Sequence, residues 1–185
     1  MTLFERKKQL RKEMRCRRKE LTDLLKAYKD AAITKKLLAL DKVRNASVVL
    51  PFVSTNDEVD TAEFIYNCFK LGKTVAVPRC IDDTNMEFCV IDSFDDIEEG
   101  MYGIYEPKKH CNVIEAENII DSVLIVPGLC FNSEGFRLGY GKGYYDRFIS
   151  RYKGYCVGIC YKEFLTDDIP TDEYDRPVDM VITDR

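Results

Sequence analysis

The feature that most restricts the fold of this chain is a set of short runs that are apolar at consecutive positions rather than at every second one. They are ASVVLPF at 46–52, TVAVP at 74–78, MEFCVI at 86–91, VLIVP at 123–127, GYCVGICY at 154–161 and DMVIT at 179–183. A strand with one wet face alternates apolar and polar residues, so a strand lacking that alternation is covered on both sides. Between the runs stand segments with helical spacing, including TAEFIYNCFKLG at 61–72, where Gly72 supplies a C-terminal stop. Buried strands separated by helices and short loops specify a largely parallel sheet. The expected architecture is α/β: a three-layer α/β/α single domain over residues 1–185, its central sheet flanked by helices. At 185 residues and 45% hydrophobic content, one substantial core suffices. In such sheets ligands bind outside the carboxyl ends of the strands. Polar segments there are STNDE after Phe52, a glycine-rich loop after Pro127 and the tail around Asp179.

Charge is unevenly spread. Residues 1–19 carry nine Lys/Arg and two Glu, which leaves 19 basic against 30 acidic residues in the remainder. The whole surface is therefore unsuited to nonspecific nucleic-acid binding, and the basic end is a local feature. Apolar residues at helical spacing, among them Leu10, Met14 and Leu21, make residues 3–24 one amphipathic helix, with a second over 24–40. No N-terminal apolar run resembles a leader and none reaches a membrane-spanning length, so the expectation is a cytoplasmic protein with no membrane partner. The eight cysteines include no C-x-x-C pair, which argues against a zinc ribbon or a thioredoxin-type motif. Cys68, Cys80, Cys89, Cys130 and Cys156 have apolar neighbours and are expected in the core as small hydrophobes.

In RLGYGKGYYD at 137–146, glycine occupies every second position from Gly139 to Gly143. Glycine permits positive φ and a close approach of backbone to ligand, and Arg137 and Lys142 add cationic donors. A helix beginning near Gly143 would turn free N–H groups toward the loop. Tyr144, Phe148 and Tyr152 recur at the spacing of one helix face. The pattern reads as a phosphate site, although it matches neither a Walker A loop nor a Rossmann fingerprint. The alternative is a turn that merely lets a helix pack close to the sheet, with Arg137 and Asp146 in ordinary ion pairs.

The loop RLGYGKGYYDRF, preceded by PGLCFNSEGF, closely resembles the motif of the 5-formyltetrahydrofolate cyclo-ligase family. KKQLR at 7–11, NDEVDT at 56–61, VPR at 77–79, YGIYEP at 102–107, VGICY at 157–161 and YDRPVDMVIT at 174–183 follow in the family's order. The resemblance implies ATP-dependent, Mg²⁺-requiring conversion of 5-formyltetrahydrofolate to 5,10-methenyltetrahydrofolate with release of ADP and phosphate. It implies small-molecule partners only, and a monomer.

Carried over residue by residue, the resemblance gives Lys7, Lys8 and Arg11 to the nucleotide phosphates. Arg137, Leu138, Gly139, Tyr140, Gly141, Lys142, Gly143, Tyr144 and Tyr145 wrap the nucleotide, with Arg137 and Lys142 as the charge-stabilising catalytic pair. Asp146 and Asp179 are the implied Mg²⁺ ligands, converging from distant parts of the sequence. Val53 becomes a wall of the folate pocket and Glu58 its polar anchor, because a carboxylate can accept two hydrogen bonds from a pterin's amino and ring N–H groups. Tyr102 matches an aromatic position able to stack on the ligand, and residues 140–144 also border the folate. The chain departs from the family's usual pattern at Phe164, Tyr174 and Lys142, and His110 matches no functional position.

Overall fold

A computed structural model describes residues 1–100 and 104–185. Tyr102, an expected stacking residue, lies outside the described residues. Two helices open the chain, α1 (Leu3–Arg18) and α2 (Asp23–Ala39), followed by a short α3 (Asp41–Asn45). The first helix stops before Leu24 because Thr22 caps the second: its hydroxyl accepts from Leu25 N–H, and Asp23 follows in the first turn.

The central sheet has seven strands in the order β11-β10-β7-β1-β2-β3-β6. Strands β1 (Val48–Leu50), β2 (Thr74–Cys80), β7 (Ser122–Val126), β10 (Tyr155–Ile159) and β11 (Met180–Ile182) run parallel. β3 (Met86–Ile91) and β6 (Val113–Ile114) complete one edge antiparallel. Every residue of β7 is buried, as its unbroken apolar sequence requires. Two small ribbons stand apart, β4 (Ile97–Glu99) with β5 (Tyr105–Pro107) and β8 (Cys130–Phe131) with β9 (Arg137–Leu138). The expected α/β architecture with a largely parallel sheet holds.

The chain crosses from β1 to β2 through α4 (Ala62–Lys70), and from β7 to β10 through α5 (Tyr144–Ile149), moving in opposite directions along the sheet. Right-handed crossovers in opposite directions put α4 and α5 on opposite faces. The reversal falls between β1 and β7, and a crevice opens there between the loops that leave their carboxyl ends. Gly158 in β10 lies under the Phe131 ring, where a Cβ would come within 2.3 Å of it, so the β8–β9 ribbon folds back over the sheet.

Two local expectations are corrected. Cys80 is exposed at the end of β2, where the edge hairpin outruns the core. The helix after the glycine loop ends at Ile149, and Tyr152 lies beyond it, although its ring still packs on Phe148 at 5.4 Å between centroids. Among the described residues no helix is long and apolar enough to cross a membrane.

Candidate active site

The crevice between β1 and β7 is bridged by a residue that sequence reasoning missed. Arg18, the last residue of α1, is 5% exposed and donates to the carbonyls of Asp57, Gly128 and Leu129. One guanidinium thereby ties the loop after β1 to the turn after β7. Its Nε has no partner, so the buried charge is only partly satisfied. The signal was present in the sequence: Lys7, Arg11, Met14 and Arg18 fall at i, i+4, i+7 and i+11, one stripe of the helix. Along that stripe Lys7 Nζ pairs with Asp172 at 2.8 Å and Asp175 at 2.7 Å, and Arg11 Nε donates to Gly139 O at 2.9 Å. Lys8 points off the stripe and is exposed. The basic helix is therefore docked on the glycine loop through Arg11 and on the 172–175 segment through Lys7, while Lys8 faces solvent.

The loop itself has the backbone its glycines permit. Gly141 has φ +108° and Gly143 φ +70°, both in the region that L side chains rarely adopt. A Cβ at Gly141 would rest against the Arg11 guanidinium at 3.5 Å, and one at Gly143 would meet Arg147 Nη1 at 2.9 Å. Arg147 in turn donates to Lys142 O and Thr84 O, so two arginines and the β2–β3 turn frame the loop. Tyr144 donates to Asp82 O at 2.7 Å from the same direction.

The two catalytic candidates stand in different surroundings. Arg137 in β9 is buried, pairs with Asp146 at 3.1 Å and donates to Arg176 O. Burial depresses its pKa while Asp146 acts against that, and the guanidinium stays charged. The Lys142 side chain is exposed and pairs with Asp83 of the β2–β3 turn, at 3.1 Å. Leu138 is buried beneath the loop and supplies wall rather than contact.

Glu58, 8% exposed, sits in the loop after β1, where its Oε2 accepts from Thr55 N–H at 2.8 Å and Thr55 Oγ1 at 3.1 Å. Tyr140 and Tyr145 both come up to this carboxylate from the glycine loop. Burial first, then the Glu58 charge, pushes each phenol above its ordinary range. Tyr145 Oη is buried and has no hydrogen-bond partner among the described residues. Arg15 lies 5.8 Å above the Tyr140 ring and Arg137 the same distance above Tyr145. A cleft of about 680 Å³ opens beside this group, and Val53, Thr55, Ile65, Phe94, Ile97 and Tyr105 contribute to its wall. Thr55 joins cleft and carboxylate, because it lines the one and is hydrogen-bonded to the other.

The carboxylates assigned to Mg²⁺ do not share a partner among the described residues. Asp146 accepts Arg176 N–H on Oδ1 and faces Arg137 on Oδ2, so both oxygens are engaged. Asp179 is exposed, just ahead of β11, and its Oδ2 accepts Cys156 N–H at 2.7 Å. Asp146 is thus attached to Arg137 and the Arg176 main chain, and Asp179 to the main chain of β10. Carboxylate oxygens are of the donor type that Mg²⁺ takes, and among the described residues Asp179 keeps one oxygen without a hydrogen-bond partner, whereas both oxygens of Asp146 are engaged.

Known proteins resemble the chain along nearly its whole length. The model of the 5-formyltetrahydrofolate cyclo-ligase family matches residues 4–184. A 5-formyltetrahydrofolate cyclo-ligase of Mus musculus is 32% identical, over 98% of this chain and 95% of the mouse protein. The structure of the 5,10-methenyltetrahydrofolate synthetase of Aquifex aeolicus superimposes with a TM-score of 0.84 at 27% identity, covering 97% of this chain and 90% of that one. The enzyme of that name from Mycoplasma pneumoniae gives 0.78 at 25% identity, over 97% and 99%.

Proposed function

The chain belongs to the 5-formyltetrahydrofolate cyclo-ligase family, and from that premise we propose that the glycine loop holds ATP against a folate seated between Glu58 and the adjoining cleft. The reaction is the ATP-dependent closure of 5-formyltetrahydrofolate to 5,10-methenyltetrahydrofolate. A formamide carbonyl is a poor electrophile, and loss of its oxygen as water or hydroxide is difficult near neutral pH. Transfer of the γ-phosphoryl group to the formyl oxygen removes that obstacle: ADP departs, N10 attacks the activated carbon, and the C–O bond breaks to release phosphate.

The chain's part is alignment and charge. Phosphoryl transfer is accelerated chiefly by positioning and by cations on the oxygens where charge spreads. Arg137, fixed by Asp146 and Arg176 O, is a preset donor. Lys142 reaches the terminal phosphate by leaving Asp83. Arg11 and Lys7 serve the remaining phosphates from the docked helix. The bare N–H groups around Gly141 complete the cradle, since no Cβ blocks approach there. Asp146 and, once released from the Cys156 N–H, Asp179 would hold Mg²⁺, which would supply neutralising charge to the phosphate oxygens.

Glu58 accepts the pterin's N–H groups, and the unpartnered Tyr145 hydroxyl gains a ligand acceptor or donor in the same space. Val53 is the apolar wall. The observation that carries the reading is a positive-φ glycine loop flanked by Arg11 and followed by Tyr145, which lies beneath Arg137 and near the buried Glu58 carboxylate of the loop after β1. The test is to mix purified protein with 5-formyltetrahydrofolate, ATP and Mg²⁺ and follow methenyl absorbance. ATP-dependent product is expected, and its absence overturns the reading.

A further inference from the structure

Asp96, His110 and Cys111 are brought together by two segments that the folate reaction does not use. Their ligand atoms, one oxygen, one nitrogen and one sulfur, lie within 4.8 Å of one another, the only such group among the described residues. We propose that these three side chains form a binding site for a borderline-soft divalent cation of the zinc class.

The arms of the site are held before any ion arrives. Asp96 closes a short 3₁₀ turn, Phe94–Asp96, and its Oδ2 accepts the N–H groups of Asp92 at 2.8 Å and Ser93 at 3.3 Å. The carboxylate is thereby oriented, and its other oxygen stands 3.2 Å from His110 Nε2. A main-chain bond from Lys108 N–H to Asp96 O at 2.8 Å clamps the second segment to the first, and one from Cys111 N–H to Lys108 O at 3.0 Å closes the turn that carries His110. The Cys111 sulfur lies 3.7 Å from Asp96 O. Ligands around a tetrahedral zinc, at about 2.0–2.3 Å from the ion, stand roughly 3.3–3.8 Å apart. His110 and Asp96, 3.2 Å apart, are close to that separation, and the sulfur, within 4.8 Å of both, closes on an ion by an approach of at most about 1.5 Å.

The donor types select the cation. Thiolate and imidazole favour zinc or cobalt over Mg²⁺ and Ca²⁺, which prefer all-oxygen sites. His110 has a side-chain exposure of 67% and gives the ion a way in, while Cys111 is buried at the base. Binding displaces the thiol proton to solvent, and the resulting thiolate and the carboxylate together balance the ion's double charge. Three protein ligands leave a fourth position for water. Phe94 and Ile97, on either side of the Asp96 turn, line the cleft, so an ion here stiffens one wall of that cleft.

The test is optical titration of the reduced, full-length protein with Co²⁺. One equivalent should produce a thiolate-to-cobalt charge-transfer band, which Zn²⁺ abolishes by displacement and Mg²⁺ does not. Cys111→Ser should lose the band. His110→Ala, an exposed change that the fold tolerates, should weaken Co²⁺ binding by about tenfold or more. Absence of the band in the unaltered protein overturns the proposal. So does a band that survives Cys111→Ser, which would belong to an exposed thiol such as Cys16 or Cys80. Unchanged Co²⁺ affinity in His110→Ala overturns it as well.

Discussion

Arg137 and Lys142 carry the same charge in one short loop, yet they are built in opposite ways. The Arg137 side chain is 3% exposed and its carboxylate partner Asp146 is 23% exposed, whereas the Lys142–Asp83 pair stands at 62% and 92%. The first cation is part of the packing: it joins β9, α5 and the segment around Arg176. The second rests on the surface in a pair whose attraction water and salt largely screen. A site that grips a nucleotide and then releases ADP needs both, a fixed donor that sets the register of the phosphates and a loosely held one that can follow the transferred group. The contrast predicts that the two residues contribute similarly to turnover and very differently to stability.

Arg137→Ala should have the largest effect. It removes a preset donor, costing roughly a hundredfold in kcat, and leaves the Asp146 carboxylate without its cation. Loss of one member of a buried pair costs about 3–5 kcal/mol, and the partial exposure of Asp146 brings the expected figure to about 2–3 kcal/mol. Urea unfolding and steady-state kinetics measure the two parts. Lys142→Ala should cost a comparable hundredfold in turnover while shifting stability by less than about 1 kcal/mol. Unchanged turnover in Lys142→Ala would show that the exposed cation never reaches the phosphates, and a large loss of stability would break the contrast itself.

The sequence made the sheet legible because burial on both faces leaves a local mark. VLIVP and its neighbours have no polar alternation, and the strands they became are buried as that pattern requires. The glycine loop was legible for a similar reason: positive φ at Gly141 and Gly143 is a property of the residue type. What was not legible depends on partners brought together by the fold. Nothing near Lys7 in the chain announces Asp172 or Asp175. The place of Arg18 across the crevice required knowing that β1 and β7 are neighbours. The attachments of Asp146 to Arg137 and of Asp179 to the Cys156 N–H likewise depend on the fold. Cys80 looked like core because its neighbours are apolar, but the hairpin it begins extends past the layers that would cover it.

The loop glycines sharpen the contrast on a smaller scale. Gly141→Ala places a Cβ at φ +108° with its nearest neighbour, the Arg11 guanidinium, at an ordinary 3.5 Å, so the cost is backbone strain rather than collision. Strain of that kind is worth about 1–3 kcal/mol, which should appear as a raised KM for ATP if the loop relaxes away from its phosphate-binding shape. Gly139→Ala is the control, because no atom lies within 4 Å of the place its methyl group would take and its φ is not positive. Equal effects from both substitutions would show that the loop's shape is not what binds the nucleotide.

The smallest expected effect concerns how the basic helix is held, and its sign follows from two groups. Burial pulls the Lys7 pKa down most strongly, but hydrogen bonds from Lys7 to Asp172 and Asp175 together raise it above 10.5. Its stabilising share is therefore complete below that value and fades as pH rises through the raised one. The Lys7 hydrogen bond, foremost among several, lowers the Asp172 pKa below 3.8. That share is present above 3.8 and fades as pH falls through the lowered value. Between these limits the pair is intact, and with Asp172 partly open to solvent it is worth at most about 1 kcal/mol. Thermal melts of the unaltered protein and of Asp172→Asn should differ by this small amount at neutral pH, and the difference should shrink as the pH drops below 3.8. A gap that stays constant into acid would mean that Asp172 holds α1 through shape rather than charge, leaving Asp175 as the ion-pair partner that Lys7 must leave to reach a phosphate.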